Sequence, residues 1–297
     1  MRVVVTGGTG FIGGALCQAL RGAGHEVTVV SRGASRPGQA RAPGAVAWDD
    51  LAASVEGADA VVNLAGEPIA AGRWTAARKD AIRASRLDAT RRVVEAIRAA
   101  SARPRVLVSG SAIGFYGPHD DEPVDESAEP GRDFLAGVCQ AWEREAAVAE
   151  SLDLRVVRLR IGIVLAPDGG ALARMLPPFR AFVGGPIGDG HQWMSWIHRD
   201  DVTGMILAAL ADARWTGAVN ATAPHAVTNR EFARTLGRAL ARPAAVPVPA
   251  FALRILLGTE LAGMLLTGQR VIPAAATARG YRWRYPELTP ALRATVR

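Results

Sequence analysis

Residues 2–24 read RVVVTGGTGFIGGALCQALRGAG, and they carry the strongest indication of the fold. Its three consecutive valines, Val3–Val5, are typical of a strand buried in a parallel sheet. A glycine-rich turn, Gly7–Gly14, follows at once. The apolar spacing of Ala15–Ala23 then predicts a helix that ends at Gly24. A strand, a glycine-rich turn and a helix in this order predict the first unit of an α/β domain with a parallel sheet.

The turn after the first strand has the spacing Gly-x-x-Gly-x-x-Gly. Such glycines allow a tight turn and let the backbone approach a pyrophosphate, while the free N–H groups at the helix start face the phosphates. An ordinary glycine-rich strand–helix turn is the structural alternative. The context favours a dinucleotide-binding Rossmann domain, and the residues predicted to line the cofactor are Gly7, Thr9, Gly10, Phe11, Ile12 and Gly13.

The end of the second predicted strand, Val27–Val30, bears on which dinucleotide is bound. NAD-binding domains usually place an acid about 20 residues past the glycines, where it holds the ribose 2′-hydroxyl. Here no acid lies between Glu26 and Asp49, and the strand is followed by Ser31 and Arg32. An arginine can pair with a 2′-phosphate, and a serine can add a hydrogen bond. We therefore expect NADP(H), with a solvated surface arginine as the alternative explanation of Arg32.

The rest of the first half continues the alternation of strands and helices. This pattern predicts a doubly wound parallel sheet, a Rossmann domain spanning residues 1–165. The further predicted strands are Val61–Leu64, Arg105–Ser109 and Arg155–Leu159, and the predicted helices between them are Ala81–Ala100 and Phe134–Ser151.

Glycine and proline become frequent after about residue 165, which indicates loops and short elements. We expect residues 166–297 to form a smaller mixed lobe that holds the substrate. Within it, Asp201–Thr222 is expected to return to the first domain. Further helices are predicted at Asn229–Ala241 and Phe251–Leu266.

Composition narrows the classes of function. The chain has 297 residues, a formal net charge of +7 and one lysine, Lys79, among its 35 basic residues. The arginines are scattered rather than clustered, so we expect no nucleic-acid partner. Cys17 and Cys139 form no CxxC pair, and the most apolar stretch carries Arg254 and Glu260. We expect a cytoplasmic protein with no membrane partner and no metal site.

Together, Gly7–Gly13, Asn63–Gly66, Ser109–Ala112 and Ser195–His198 resemble the extended short-chain dehydrogenase/reductase superfamily. The chain is more similar still to an atypical branch, the epimerase-family or NAD-dependent epimerase/dehydratase-like proteins, some of which are labelled cell-division-inhibitor-like. The motifs that carry this closer resemblance are Gly66-Glu67-Pro68, Arg73-Trp74, Ser85-Arg86, Phe134-Leu135, Trp142-Glu143, Arg160-x-Gly162, Gly169-Gly170, Gly184-Gly185-Pro186, Gln269-Arg270 and Pro273.

The resemblance also exposes a gap. The superfamily uses a serine or threonine with Tyr-x-x-x-Lys, in which the tyrosine transfers a proton and the lysine lowers its pKa. When Glu143 is aligned with the glutamate that often follows the lysine, Leu135 and Cys139 stand in the two catalytic places. Cys139 either transfers protons through its thiol or only fills space in the hydrophobic core.

Other residues could still act in catalysis or in cofactor binding although the tyrosine and lysine are missing. The resemblance places Ser111 at the catalytic serine, where it orients a substrate oxygen or caps backbone. Tyr116 is the replacement general acid or a packed aromatic. Arg160 holds an anionic substrate or cofactor ribose, or forms a strand-end ion pair. We also expect the end of the strand at 61–64 and the residues after it to approach the cofactor, namely Asn63, Leu64, Ala65, Gly66 and Glu67. A tight strand exit is the alternative explanation of Asn63–Gly66.

Four further residues are candidates for the substrate pocket. Lys79, as the sole lysine, has either a chemical role or a chance surface position. Trp193 and Trp196 form aromatic pocket walls or core, and His198 faces the pocket or is a satisfied core histidine. Asp200 or Asp201 is expected to cap the next helix.

Two functions are consistent with these features. The first is an NADP(H)-dependent oxidoreductase or epimerase-like enzyme that acts on a small hydroxyl- or carbonyl-bearing substrate. The second, favoured by the missing Tyr/Lys pair, is an NADP(H)-binding sensor or scaffold with little or no catalysis. A homodimer through the two long helices is also consistent with the resemblance.

Overall fold

The computed structural model describes residues 1–35 and 43–296. The strands are β1 Arg2–Thr6, β2 Glu26–Val30, β3 Ala45–Val46, β4 Ala60–Asn63, β5 Val106–Ala112, β6 Pro123–Val124, β7 Arg155–Ile161, β8 Ile163–Leu165, β9 Trp193–Met194, β10 Trp196–His198, β11 Gly217–Ala221, β12 Val227–Thr228 and β13 Arg270–Val271. The α-helices are α1 Phe11–Gly22, α2 Leu51–Val55, α3 Ala76–Ala99, α4 Phe134–Ala147, α5 Gly170–Arg180, α6 Arg199–Ala211, α7 Asn229–Leu240, α8 Ala250–Leu257, α9 Thr259–Leu266, α10 Ala274–Ala278 and α11 Leu288–Val296.

In the described residues, seven strands form one sheet in the order β11-β7-β5-β4-β1-β2-β3. Every neighbouring pair in it is parallel. Strand order runs outward in both directions from the boundary between β1 and β4, which is where open α/β sheets form their ligand crevice. The predicted doubly wound parallel sheet is confirmed.

The valine run that opens the chain is explained by helices on both faces of the sheet. Val3 and Val5 pack on one face with Leu16 of α1 and Met205 of α6. Val4 packs on the other face with the residues of α2 and α3. Because successive side chains of a strand point to opposite faces, a strand covered on both sides is apolar at every position.

A second core lies in the C-terminal half. It is built on β8, β10 and the helices α5, α7 and α11, with Leu172, Phe179, Trp196 and Phe232 fully or almost fully buried. The segment Asp201–Thr222, which was expected to return to the first domain, contains most of α6 and all of β11. Strand β11 pairs with β7 at one end of the main sheet.

Several element boundaries differ from the prediction. Helix α1 begins at Phe11 rather than Ala15, because Gly13 and Gly14 already belong to its first turn. The predicted helix Phe251–Leu266 is two helices, broken at Gly258, whose φ of +84° ends α8. The short strand β3 has no counterpart in the prediction, since two residues carry no periodicity.

Candidate cofactor and substrate site

The glycine-rich turn places backbone rather than side chains at the crevice. Gly7 has φ +70°, and a Cβ there would lie 2.6 Å from the Leu64 carbonyl oxygen. A Cβ at Gly13 would lie 2.1 Å from the Gly7 carbonyl oxygen. Helix α1 has Gly10 as its N-cap, without a capping side chain or an acid in its first turn. Its N-terminal N–H groups and dipole therefore fit a pyrophosphate.

Residues from the C-terminal half of the chain pack against the end of this turn at Phe11, a contact that the sequence did not indicate. The ring of Phe11 fills the space beside Gly169, where a Cβ would come within 2.4 Å of it. Arg199 donates to the Asp168 carboxylate at 2.6 Å and to the Phe11 carbonyl at 3.4 Å, and its guanidinium lies over the Phe11 ring. The second lobe thus fixes one predicted cofactor residue in place.

Arg32 and Glu67, predicted from two different strand ends, meet in an ion pair. Arg32 Nη1 lies 2.9 Å from Glu67 Oε1, and Arg78 Nη1 lies 3.5 Å from Glu67 Oε2. The hydrogen bond from Arg32 holds the pKa of Glu67 below its usual range. Arg32 is 76% exposed, so its guanidinium can also receive an anion. The Ser31 hydroxyl accepts from the Gly33 backbone N–H at 3.1 Å.

Asn63 ties together the strand ends at the crevice. Its side-chain oxygen accepts from the Thr6 hydroxyl at 2.6 Å, and its amide donates to the Thr90 hydroxyl of α3 at 2.8 Å. The following Leu64 and Ala65 run directly beside the glycine-rich turn at Gly7. This bonding fixes where β4 ends and presents the backbone of the next residues to the crevice.

Gly66 lets the chain pass close to a buried arginine that the sequence did not single out for the site. A Cβ at Gly66 would lie 3.2 Å from Arg86 Cζ. Arg86 donates to the carbonyls of Ile82 and Glu67, and its guanidinium lies over the Trp142 ring. Burial lowers the pKa of this guanidinium.

Ser111 lies near the end of β5, and its hydroxyl is hydrogen-bonded to the carboxylate of a buried ion pair. Its hydroxyl donates to Glu143 Oε1 at 2.7 Å. Arg160 contacts both oxygens of the same carboxylate, with Nε to Oε1 at 2.8 Å and Nη2 to Oε2 at 2.9 Å. All three side chains are buried. A two-point arginine–carboxylate contact is the strong form of this interaction, and it holds the Ser111 partner in one orientation.

Tyr116 lies at the far side of Arg160. Its hydroxyl accepts from Arg160 Nη1 at 2.9 Å and donates to Asn220 Oδ1 at 2.7 Å. The residue is 1% exposed, and burial raises the pKa of its hydroxyl to about 12. This geometry favours a role in holding Arg160 over the proton transfer expected from the sequence.

The places of the usual tyrosine and lysine are filled by side chains that cannot replace them. Leu135 and Cys139 lie beside Gly114, where a Cβ would be 3.4 Å from Leu135 Cβ and 3.9 Å from Cys139 Sγ. The thiol also lies beside Ser111 and Glu143. Burial, reinforced by the Glu143 charge, raises its pKa to about 12. A buried neutral thiol is a filler rather than a proton donor at neutral pH.

Two of the four pocket candidates have structural roles. Trp196 is fully buried in the second core and donates to the His225 carbonyl, so it is not a pocket wall. His198 Nδ1 accepts from the Asp200 N–H at 3.1 Å and is the N-cap of α6. The expected cap at Asp200 or Asp201 is wrong, because Asp201 instead accepts from the backbone N–H of Arg284 at 2.6 Å.

The other two candidates lie where the lobes meet. Lys79 Nζ lies 2.9 Å from Glu260 Oε1 of α9 and 5.5 Å from the centre of the Phe134 ring. Trp193 donates to the Asp121 carboxylate at 2.8 Å, and Arg270 lies over its ring. Both side chains therefore already have partners in this structure.

The fold and the glycine-rich crevice define the class of protein. Residues 3–221 match the NAD dependent epimerase/dehydratase family, and the chain belongs to that family. Residues 248–295 match a C-terminal family described as a domain of unknown function, DUF1731.

Several named proteins are similar over the whole chain. The Arabidopsis thaliana epimerase family protein SDR39U1 homolog, chloroplastic, is 45% identical over 307 residues, covering 100% of this chain and 87% of its own. The human epimerase family protein SDR39U1 is 43% identical over 300 residues, covering 100% of both. The Bacillus subtilis epimerase family protein YfhF is 38% identical, covering 98% of this chain and 97% of its own.

Two solved structures are similar to this chain along nearly its whole length. The crystal structure of human SDR39U1 (isoform2) with NADPH has a TM-score of 0.93 at 41% identity, covering 99% of each chain. A nucleoside-diphosphate sugar epimerase from Corynebacterium glutamicum has a TM-score of 0.79 at 34% identity, covering 99% of this chain and 57% of that one.

Proposed function

We propose that this protein is an NADP(H)-dependent oxidoreductase or epimerase-like enzyme that acts on a small molecule bearing a hydroxyl or carbonyl group. The observation that carries the proposal is the fixed position of Ser111 near the carboxyl end of β5, with its hydroxyl bonded to Glu143. Burying a serine, a carboxylate and a guanidinium in one cluster is costly, which supports a functional reason for their presence there.

The cofactor part of the proposal rests on the crevice itself. The glycine-rich turn presents uncapped N–H groups of α1 to a pyrophosphate, and Gly13 admits no side chain. The exposed guanidinium of Arg32 lies at the end of β2, where a 2′-phosphate would be recognised. The NADPH in the crystal structure of the human relative supports the same assignment. When bound, the nicotinamide supplies hydride transfer.

The hydrogen-bond pattern indicates how Ser111 would treat a substrate. Glu143, paired with Arg160, is a charged carboxylate and can only accept hydrogen bonds. The Ser111 proton is therefore committed to Glu143, and the free lone pairs of Ser111 Oγ are directed at a donor. A substrate hydroxyl fits this requirement better than a carbonyl oxygen. Ser111 would hold the hydroxyl oxygen, and Glu143 would receive the proton that passes through Ser111 as that hydroxyl is oxidised.

A second function is favoured by one specific observation. Leu135 and Cys139 occupy the places of the tyrosine and lysine; leucine carries no ionisable group, and burial raises the pKa of the Cys139 thiol to about 12. A protein that binds NADP(H) without turnover, as a sensor of the nucleotide or as a scaffold, would need neither residue. The two functions differ in whether Ser111 contributes to hydride transfer.

Hydride transfer is reversible and uses the same groups in both directions, so the test follows hydride from NADPH to the carbonyl form of the substrate, which need not be known in advance. Purified protein is incubated with a metabolite extract and NADPH carrying deuterium at the transferred position, and small molecules are scanned for the label by mass spectrometry. The proposal predicts labelled product with the wild type and with Ser109→Ala, a buried serine of the same strand. Ser111→Ala should lower labelling at least about tenfold. Tight NADPH binding with no labelled product from any protein would favour the sensor.

A further inference from the structure

One face of the second lobe carries an unusual concentration of exposed apolar side chains. In the described part of the chain, eight large apolar residues are exposed, and six of them fall between positions 182 and 256. We call these six, with three neighbouring arginines, the apolar–arginine patch: Phe182, Val183, Val246, Phe251, Ile255 and Leu256, with Arg180, Arg242 and Arg254.

The apolar–arginine patch is held together by backbone contacts. The loop that carries Phe182 and Val183 continues to Gly184, whose carbonyl accepts from the Val246 N–H at 3.2 Å. The Arg242 guanidinium lies 4.4 Å from the centre of the Phe182 ring. Helix α8 follows a few residues later and projects Phe251 and Ile255 one turn apart on the same side. The two segments are joined by backbone contacts on both sides of Val246, since the Val248 N–H donates to the Pro186 carbonyl at 2.8 Å and α8 begins two residues further on.

Arginine is the prevailing charged residue of the segments that carry this surface, and the nearest acids in sequence are Asp168, Asp189, Glu231 and Glu260. Residues 169–188 and 232–259 contain six arginines and not a single aspartate or glutamate. Among the described residues, none of the three arginines of the apolar–arginine patch takes part in an ion pair with a carboxylate. Each of these arginines is exposed. Exposed aromatic and aliphatic side chains flanked by unpaired arginines are the composition of surfaces that lie in the headgroup region of a bilayer.

We propose that the apolar–arginine patch is a peripheral membrane-docking surface that binds bilayers of anionic phospholipid. Phe182, Phe251 and Ile255 enter the region between headgroups and acyl chains, and Arg180, Arg242 and Arg254 contact lipid phosphates. No helix in the described part of the chain is long and apolar enough to cross a membrane, so the contact is with the bilayer surface. This departs from the expectation of no membrane partner drawn from sequence.

A second copy of the chain is a poorer occupant. A two-fold interface centred on this surface would bring the unpaired arginines of both copies together, and Glu260, the acid nearest α8 in sequence, is already paired with Lys79. A bilayer rich in anionic headgroups instead supplies a negative charge for each arginine.

The experiment measures sedimentation of the full chain with vesicles. The proposal predicts binding to vesicles of phosphatidylglycerol mixed with phosphatidylcholine, and little binding to phosphatidylcholine alone. Phe251→Ser/Ile255→Ser should weaken binding at least about tenfold, whereas Val148→Ser, an exposed apolar residue elsewhere, should not. Unchanged NADPH affinity in each variant shows that the fold is intact.

A second pair of variants separates the patch from the general positive charge. Arg180→Gln/Arg242→Gln/Arg254→Gln should lose binding at least about tenfold. Arg83→Gln/Arg98→Gln/Arg144→Gln removes the same net charge from exposed positions of α3 and α4 and should retain it. Equal losses in the two triple variants, an absence of vesicle binding, or dimerisation abolished by the serine variant would each overturn the proposal.

Discussion

Arg160 and Glu143 face each other through two parallel contacts of 2.8 and 2.9 Å in the interior of the first domain. Tyr116 holds the remaining guanidinium nitrogen, and Ser111 bonds the carboxylate. Because each charge is the main partner of the other, the pair acts as a unit. Its stability consequences and its role in orienting Ser111 can be tested separately.

The first prediction concerns the free energy of unfolding. Glu143→Leu or Arg160→Met alone leaves a buried charge without a partner, and each should cost about 3–5 kcal/mol. The double variant removes both charges and should cost clearly less than the sum of the two. Urea unfolding of the wild type, both single variants and the double variant measures this coupling. Additive losses would show that the two groups do not act as a unit.

The second prediction concerns the glycine-rich turn. A Cβ at Gly13 would lie 2.1 Å from the Gly7 carbonyl oxygen, whereas the nearest atom to a Cβ at Gly14 lies at 3.9 Å. Gly13→Ala should therefore weaken NADPH binding by at least about tenfold by forcing the turn open. Gly14→Ala should leave affinity unchanged and stabilise α1 by up to about 1 kcal/mol. Calorimetric titration and thermal unfolding give both quantities, and equal affinities for the two variants would refute the close-approach argument.

The third prediction concerns pH. Burial lowers the pKa of His198, although the nearby Asp200 and Asp201 carboxylates oppose this shift. The unfolded chain then binds the proton more readily than the folded one. Stability contributed by neutral His198 is present above its unfolded pKa of about 6.5 and is lost as the pH falls through the lower folded value.

His198→Asn keeps a helix-capping side chain and removes the titrating ring. We expect the wild type to lose more stability than this variant between about pH 7 and the acid side of the His198 transition. Thermal unfolding of both proteins across that range is the measurement. Parallel pH profiles would mean that the ring is not held neutral by the fold.

The fourth prediction separates a chemical role of Lys79 from a structural one. Its contact with Glu260 is partly exposed, so Lys79→Met should change stability by less than about 1 kcal/mol. Glu260→Gln breaks the same contact and is the matched control. If the contact only joins the lobes, both variants should transfer deuterium from NADPH at the wild-type rate. A large loss with Lys79→Met alone would assign the lysine to the chemistry.

Sequence reasoning recovered the architecture because its signals are local. The valine run at β1, the glycine spacing and the small residues after β4 each require a particular backbone, and a strand covered on both faces leaves few alternatives. Arg32 and Glu67 were each singled out as cofactor residues. Their ion pair was not, because they follow β2 and β4, strands that β1 separates in the sheet.

The interior polar network escaped prediction for a different reason. A charged residue in a sequence gives no sign of whether it is buried, so Arg160 could be assigned to a ligand as readily as to Glu143. His198 was misplaced because helix-cap preferences favour aspartate, and the ring nitrogen of a histidine seldom takes that position. The break at Gly258 was hidden because a single glycine is tolerated within an otherwise apolar helical pattern.

We propose that the crevice at the carboxyl end of β1 binds NADP(H) and that Arg32, which follows β2, recognises the 2′-phosphate. Calorimetric titration of NADPH and NADH into the wild type and Arg32→Ala tests it most directly. We predict a clear NADPH preference in the wild type. In Arg32→Ala, NADPH affinity should fall about tenfold or more, since a charge-assisted hydrogen bond contributes about 1.5–3 kcal/mol, with NADH affinity unchanged. Equal affinity for both nucleotides in the wild type, or no binding of either, would contradict the claim.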